Sequence, residues 1–217
     1  MSRAKTLWTS FSNAALEWIY PPQCALCARI GSPPVCEVCA SEMYPLPALS
    51  EDTPDPVLSF RLSVFQYDNR AAHAVRRLKY SRATSLTPFM SNAITETACE
   101  ADVVEDRMIV PVPIHWSRRC KRGFNQAELL CEAFAREQVD SDLLRRTRRT
   151  PPQASLRAEQ RRKNLDRAFV ARERIDGKRV LLVDDVVTTG STARECARVL
   201  IAAGAIDVGL VTFAAEL

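Results

Sequence analysis

Residues 180–192 read VLLVDDVVTTGST, and the change of character along this stretch decides the fold. RVLLVDD (179–185) is a near-continuous apolar run ending in two acids. Such a run predicts a strand buried on both faces, as in a parallel sheet. Thr188-Thr189-Gly190-Ser191-Thr192 then predicts a turn opening a helix over 191–203. Ala193, Ala197, Leu200 and Ile201 fall on its inner face, with Gly204 at its end. In open α/β sheets, ligands lie outside the carboxyl ends of the strands. Free N–H groups at a helix N-terminus, with the positive end of the helix dipole, suit a phosphate monoester. Val187, Thr188, Thr189, Gly190, Ser191 and Thr192 are therefore expected to cradle a phosphate. Asp184 and Asp185 are expected to accept hydrogen bonds from a sugar diol or to help hold a hydrated Mg²⁺. A Walker-type loop is excluded, because no Gly-Lys-Ser/Thr is present.

Outward from this segment the pattern alternates strand and helix. LSFRLSVFQY (58–67) alternates like a strand. Residues 70–80 carry Ala71, Ala74, Val75 and Leu78 at helical spacing, and Leu86 to Ala98 mark a second helix. MIVPVP (108–113) reads as a short buried strand ending in a loop, and 124–138 as a helix with Phe124, Ala127, Leu130, Cys131 and Phe134 on one face. Residues 206–213 form a last strand. This order predicts an α/β domain with a mostly parallel sheet flanked by helices over 57–217. Before it come an amphipathic helix at 1–20, a compact cysteine module at 21–44 and a Pro- and acid-rich linker at 45–56.

Charge is unevenly placed. The whole chain carries a net +4, but residues 145–167 alone hold nine basic and two acidic side chains and no apolar periodicity. They are read as a long exposed loop, of the kind that often serves as a lid. A basic field between two phosphate-type segments points to a polyanion: pyrophosphate, a nucleotide or nucleic acid. No apolar run reaches the ~18–20 residues a membrane span requires. Asn13 and Glu17 interrupt the N-terminal apolar stretch, so a cytoplasmic protein is expected.

Cys24, Cys27, Cys36 and Cys39 form two CxxC knuckles eight residues apart. In a reducing compartment such pairs read as a tetrahedral metal site rather than as disulfides. Zn²⁺ in a structural role is expected, and the ligands alone also suit a rubredoxin-type iron. A module this small needs its metal to fold. Cys99, Cys120, Cys131 and Cys196 are scattered and read as small buried hydrophobes.

The stretch at 180–192 resembles the signature of type I phosphoribosyltransferases. PVPIHWSRRCKRGFNQAELL (111–130), the LKY at 78–80, and Gln153 with Asn164 and Phe169 look like the ComF family, also called GntX-like or double-zinc-ribbon proteins. The match covers most of residues 21–217, and Arg122-Gly123-Phe124-Asn125-Gln126 is its most specific piece beside the 180–192 loop. The resemblance implies phosphoribosyl pyrophosphate (PRPP) with Mg²⁺ as ligand. Residues 111–119 would then hold pyrophosphate, and 145–167 would close over it. Arg118, Arg119, Lys121 and Arg122 would stabilise the leaving pyrophosphate, with Asp184 and Asp185 as the catalytic pair. Full ComF members often carry a second cysteine set, but residues 45–60 contain none, so one zinc is expected. His73 and His115 are the only histidines, and neither stands out as a general base; His115 is the better placed. The resemblance also implies a role in DNA uptake during natural transformation, with single-stranded DNA and DNA-uptake or recombination proteins as partners. Two chemistries follow: a Mg²⁺-dependent phosphoribosyltransferase of nucleotide metabolism, or a non-catalytic single-stranded DNA adaptor using the cysteine module and Arg161, Arg162 and Lys163. Few aromatics flank the basic run, so base stacking is not evident from the sequence.

Overall fold

The apolar run at 179–187 is an inner strand of a four-stranded parallel sheet in the computed structural model, which describes residues 21–47, 55–148 and 168–216. The strands are β1 (Arg61–Gln66), β2 (Arg107–Pro111), β5 (Arg179–Val187) and β6 (Asp207–Ala215), in the order β1-β6-β5-β2. A two-stranded antiparallel ribbon, β3 (Leu144–Arg146) with β4 (Phe169–Ala171), lies between β2 and β5 in sequence. The helix expected at 1–20, the middle of the expected linker (48–54) and most of the basic stretch (149–167) fall outside the described residues.

The continuous hydrophobicity of β5 has the expected cause. Leu181 and Val183 join one core, with Ala74, Val75 and Leu78 of helix α2 (Asn69–Ser81) and Met90 and Ile94 of α3 (Thr87–Glu100). Val180 and Leu182 join the opposite core, with Ala193, Cys196, Ala197 and Leu200 of α6 (Ser191–Ala202). Neither face of the strand meets water, so period-2 polarity is absent. The cysteine segment, with its short helix α1 (Glu37–Ser41), belongs to the first core through Leu26, Met43 and its buried cysteines. It also covers the outer edge of β1: Gln66 N–H donates to Tyr44 O at 2.8 Å and Leu46 N–H to Val64 O at 2.9 Å. Residues 45–47, expected as linker, thus protect a sheet edge.

Four expectations need correction. Of the scattered cysteines read as buried, Cys131 and Cys196 are buried but Cys99 and Cys120 are exposed. The expected pyrophosphate loop at 111–119 is a loop only to His115, because Trp116–Arg122 forms the two-turn helix α4. The helix expected over 124–138 shortens to α5 (Gln126–Leu130). There Cys131, Glu132 and Phe134 donate to carbonyls three residues back, which tightens the chain into turns. Val139 then bridges Ile109 of β2. Finally, Arg145 and Arg146, expected at the start of a long loop, are paired in β3. Among the described residues no helix is long and apolar enough to cross a membrane.

Candidate functional site

At the carboxyl end of β5, strand geometry separates the two acids. Successive side chains point to opposite faces. Asp185 follows Leu181 and Val183 toward α2, where its Oδ1 lies 2.9 Å from Lys79 Nζ. The carboxylate is almost fully buried and the ammonium largely so. Burial alone would lower the Lys79 pKa, but Asp185 and then Asp184 outweigh it and raise it. Asp185 Oδ2 is buried with no hydrogen-bond donor among the described residues. Asp184 is half-buried by area, but its carboxyl lies in the floor of a cavity. Desolvation first, then the Asp185 charge, pushes its pKa up to about 8, against the opposing pull of Lys79. Two carboxylates with an unused oxygen fit a hydrated Mg²⁺, which binds through one or two carboxylates and keeps its waters.

The cavity encloses about 1250 Å³. Val187, Thr188, Gly190, Ser191 and Thr192 line one side, while Thr189 turns aside. Thr189 Oγ1 and Ser191 Oγ lie 2.9 Å apart, and Arg194 donates to Thr189 O at 2.8 Å. Arg194 also meets Asp55 Oδ2 at 2.7 Å, which braces the loop against the segment entering β1. Gly190 is the N-cap of α6 at φ +71°, and a Cβ there would sit 3.2 Å from Arg61 Nη1. An L side chain at that conformation is strained and crowded. The loop therefore presents the start of a twelve-residue helix to the cavity.

The other side is basic. Arg118, Lys121 and Arg122 of α4 line the cavity, as do Lys79, Arg82 and Arg146. Arg119 does not: it turns outward to Glu128 Oε1 at 2.7 Å. Burial, and then Arg118 nearby, lowers the Arg146 pKa, and its guanidinium lies 5.2 Å from the Phe169 ring centroid. The Arg122–Gln126 motif is largely architectural. Gly123 ends α4 at φ +91°, which only glycine adopts freely. Buried Asn125 caps α5 and donates to Val112 O at 3.2 Å, tying α5 to the exit of β2. Gln126 Oε1 accepts from Arg122 at 2.7 Å and aims it. His115 is a cap too: its Nδ1 accepts from Ser117 N–H at 3.2 Å, and the ring lies outside the cavity lining. The residue sequence reading left out is Arg82; Arg146 entered only as part of the basic stretch 145–167, and Lys79 and Tyr80 only as part of LKY. Lys79 follows Leu78 at the inward end of α2, and that is the one signal that could have marked it.

Cys24, Cys27, Cys36 and Cys39 bring four sulfurs within 4.8 Å of one another. Cys24 and Cys39 sulfurs are 3.8 Å apart and those of Cys27 and Cys36 3.6 Å. A tetrahedron with metal–sulfur bonds of ~2.3 Å has sulfur–sulfur edges of about 3.8 Å, so the set fits Zn²⁺. Leu26 and Cys36 N–H groups point at Cys24 Sγ at 3.4 and 3.5 Å. Burial raises the Cys24 pKa, but these amides and that of Cys27 outweigh it and bring it down to about 6. Burial, reinforced by the other three sulfurs, pushes Cys39 well up. Four thiolates here need a dication to balance them.

A family model described as phosphoribosyl transferase domain matches residues 123–217. The chain is 36% identical to DNA utilization protein YhgH of Escherichia coli (strain K12) over 68% of each chain. It is 35% identical to the protein of the same name from Salmonella typhimurium over 86% of this chain and 80% of that one. It is 40% identical to Competence protein F of Haemophilus influenzae over 42% of this chain and 43% of that one.

Proposed function

We propose that this chain, which belongs to the ComF family and carries its phosphoribosyltransferase fold, binds PRPP or a related ribose 5-phosphate ligand and acts through it in the uptake or use of DNA. One observation carries the reading: both ends of PRPP find complementary chemistry in a single cavity. The donors of Thr188, Ser191, Thr192 and the α6 N-terminus suit a 5′-phosphate. Arg118, Lys121, Arg122 and Arg146 suit a pyrophosphate. Asp184 and Asp185 lie on the floor of the same cavity. They would hold Mg²⁺, which when bound supplies charge neutralisation to the pyrophosphate. The four basic residues add to that neutralisation, and Asp184 can accept the ribose hydroxyls. In this reading residues 57–217 form the ligand domain and 21–44 a zinc module with a structural ion. The names of the relatives, DNA utilization and competence, support the biological setting, and a cytoplasmic location belongs to the same reading.

A second reading, turnover by a phosphoribosyltransferase, is favoured by Asp184. Its carboxyl lies in the cavity and, before a cation is bound, is held above the usual carboxylate range, so it can exchange a proton with a ligand there; no histidine is among the described residues that line the cavity. Titration calorimetry with PRPP and Mg²⁺ tests the first reading. The wild type is expected to bind, and Ser191→Ala to bind several-fold more weakly. Absence of heat with both PRPP and ribose 5-phosphate would remove the reading. Release of pyrophosphate on adding a nucleobase would establish the second.

A further inference from the structure

Arg194 stands one turn into α6, where a cation opposes the helix dipole, so its place there calls for a partner. It has two, and one guanidinium reaches both. Nε lies 2.7 Å from Asp55 Oδ2, and Nη1 donates to Thr189 O at 2.8 Å. Asp55 is held in its turn: its side chain is only 6% exposed, and Oδ1 accepts from the Val57 and Leu58 N–H groups at 3.1 and 3.2 Å. Burial alone would raise the Asp55 pKa, but Arg194 and those two amides outweigh it and lower it, so the carboxylate keeps its charge. The guanidinium also packs against Gly190, where a Cβ would lie 3.5 Å from Nη2 and 3.6 Å from Cζ. These groups stand behind the cavity wall: Thr188, Gly190, Ser191 and Thr192 line the cavity, while Asp55, Thr189 and Arg194 do not.

In a planar trans peptide the carbonyl and the following N–H point in opposite directions. Fixing Thr189 O on Arg194 therefore turns the Gly190 N–H away from Arg194. The same peptide turned over would bring a carbonyl where the donor now is, and a carbonyl repels the phosphate oxygen that an N–H binds. We propose that Arg194 is a positioning residue that sets the Thr189–Gly190 peptide in the orientation a phosphate needs, and that Asp55 holds Arg194 to this task. The inference rests on the reading of the loop as a phosphate cradle and goes beyond it by naming what keeps the cradle in its binding form. Asp55 enters from the segment before β1, outside the residues 123–217 that match the phosphoribosyl transferase domain. A simple fastening of segment to helix would need the Asp55 bond and not the bond to Thr189 O, so the second bond is what separates a set loop from a tie.

The test uses the full chain and its Arg194→Met, Arg194→Lys and Asp55→Asn variants. Calorimetry takes ribose 5-phosphate and inorganic pyrophosphate with Mg²⁺ as separate probes, and hydrogen exchange is followed without ligand. Arg194→Met is expected to weaken ribose 5-phosphate binding about tenfold, the scale of one hydrogen bond to a charged group, and to leave pyrophosphate affinity unchanged. Arg194→Lys is expected to regain part of the loss, because one ammonium does not span both acceptors as the planar fork does. Asp55→Asn should shift ribose 5-phosphate affinity the same way by a smaller factor. The backbone amide at position 194, which donates to Gly190 O at 2.9 Å, should lose protection in Arg194→Met while β5 keeps its own. Unchanged ribose 5-phosphate affinity overturns the proposal. Equal weakening of both probes, or lost protection across β5 and α6, also overturns it, since either means that Arg194 serves stability alone. If the wild type binds neither probe, the PRPP reading falls, and exchange at position 194 still decides whether Arg194 sets the loop.

Discussion

Asp184 and Asp185 are neighbours in the chain and opposites in environment. Asp185 is buried against Lys79, so its charge is compensated at close range. Among the described residues Asp184, on the cavity floor, has no ion-pair partner of its own, and desolvation with the Asp185 charge outweighs the pull of Lys79 and pushes it up to about 8. An unfolded aspartate titrates near ~3.9. Folding therefore takes up a proton between those two pH values, and the native state loses stability as pH rises from about 4 to about 8. Asp184→Asn removes that penalty and can keep the bond that Asp185 N–H makes to Oδ1 at 2.8 Å. Its thermal midpoint in ligand-free protein is expected to exceed that of wild type by a few degrees at pH 8, on the order expected for ~1–2 kcal/mol in a chain of this size. The gap should close toward pH 4. A constant gap across that range would mean the acid is not held neutral. The acidic pair was legible from the sequence, as an end to an apolar run. The opposite orientation follows from the two-residue period. Lys79 as partner did not follow, because the salt bridge is long-range and local patterning carries no information about which helix end meets which strand end.

At the level of elements, the basic residues owe their placement to the short helix α4 and the elbow after it. Composition made 118–122 basic, but a loop and a helix distribute four cations differently. The helix aims Arg118, Lys121 and Arg122 into the cavity and turns Arg119 out to Glu128. The signals for this helix were present but weak: His115 as cap, Gly123 as stop, and no apolar stripe between them, since none of its residues is buried. A stripe of period 3.6 is what pattern reading relies on. Asn125 holds the elbow by capping α5 and reaching Val112 at the end of β2. Asn125→Ala loses a cap and leaves a buried carbonyl without its donor, so urea unfolding is expected to show a loss of about 1–2 kcal/mol. Because the elbow carries Arg122, PRPP affinity should fall as well. A stability loss with unchanged PRPP affinity would show that α4 keeps its place without the elbow. By contrast, strand β5 and helix α6 were readable nearly to their ends, since burial on both faces and an inward helix stripe leave strong periodic traces; of the residues expected on that stripe only Ile201 is exposed, with Cys196 buried in the stripe instead.

Across the whole molecule, the cysteine module is not an appendage. Cys24, Leu26, Cys36, Cys39 and Met43 share one core with Ala71, Ala74, Val75 and Leu78 of α2. That helix carries Lys79 to Asp185 and Tyr80 to the cavity. Glu42, just past α1, pairs with Arg70 near the start of the same helix. The cysteine cluster and the cavity are thus joined through one helix, with packed side chains on one face and the cavity at its end. The spacing of the cysteines was enough to expect a metal, but nothing in it could reveal this docking, which depends on tertiary packing. Metal binding must also displace protons. Cys24 ionises near 6, since its amide donors overcome burial, while burial and the other sulfurs hold Cys39 protonated until a cation arrives. Metal affinity should therefore fall as pH drops toward 6, and a chelator should strip the ion more readily there than at pH 8. Loss of the ion, or Cys39→Ser, removes the bonds that would tie the four sulfurs together beneath α2. The expected result is a lower thermal midpoint in a single transition, together with weaker PRPP binding by calorimetry, because α2 loses the packing that positions Lys79. If the stripped protein kept its PRPP affinity and lost only local structure around residues 21–44, the two sites would be independent, and the shared core would serve stability alone.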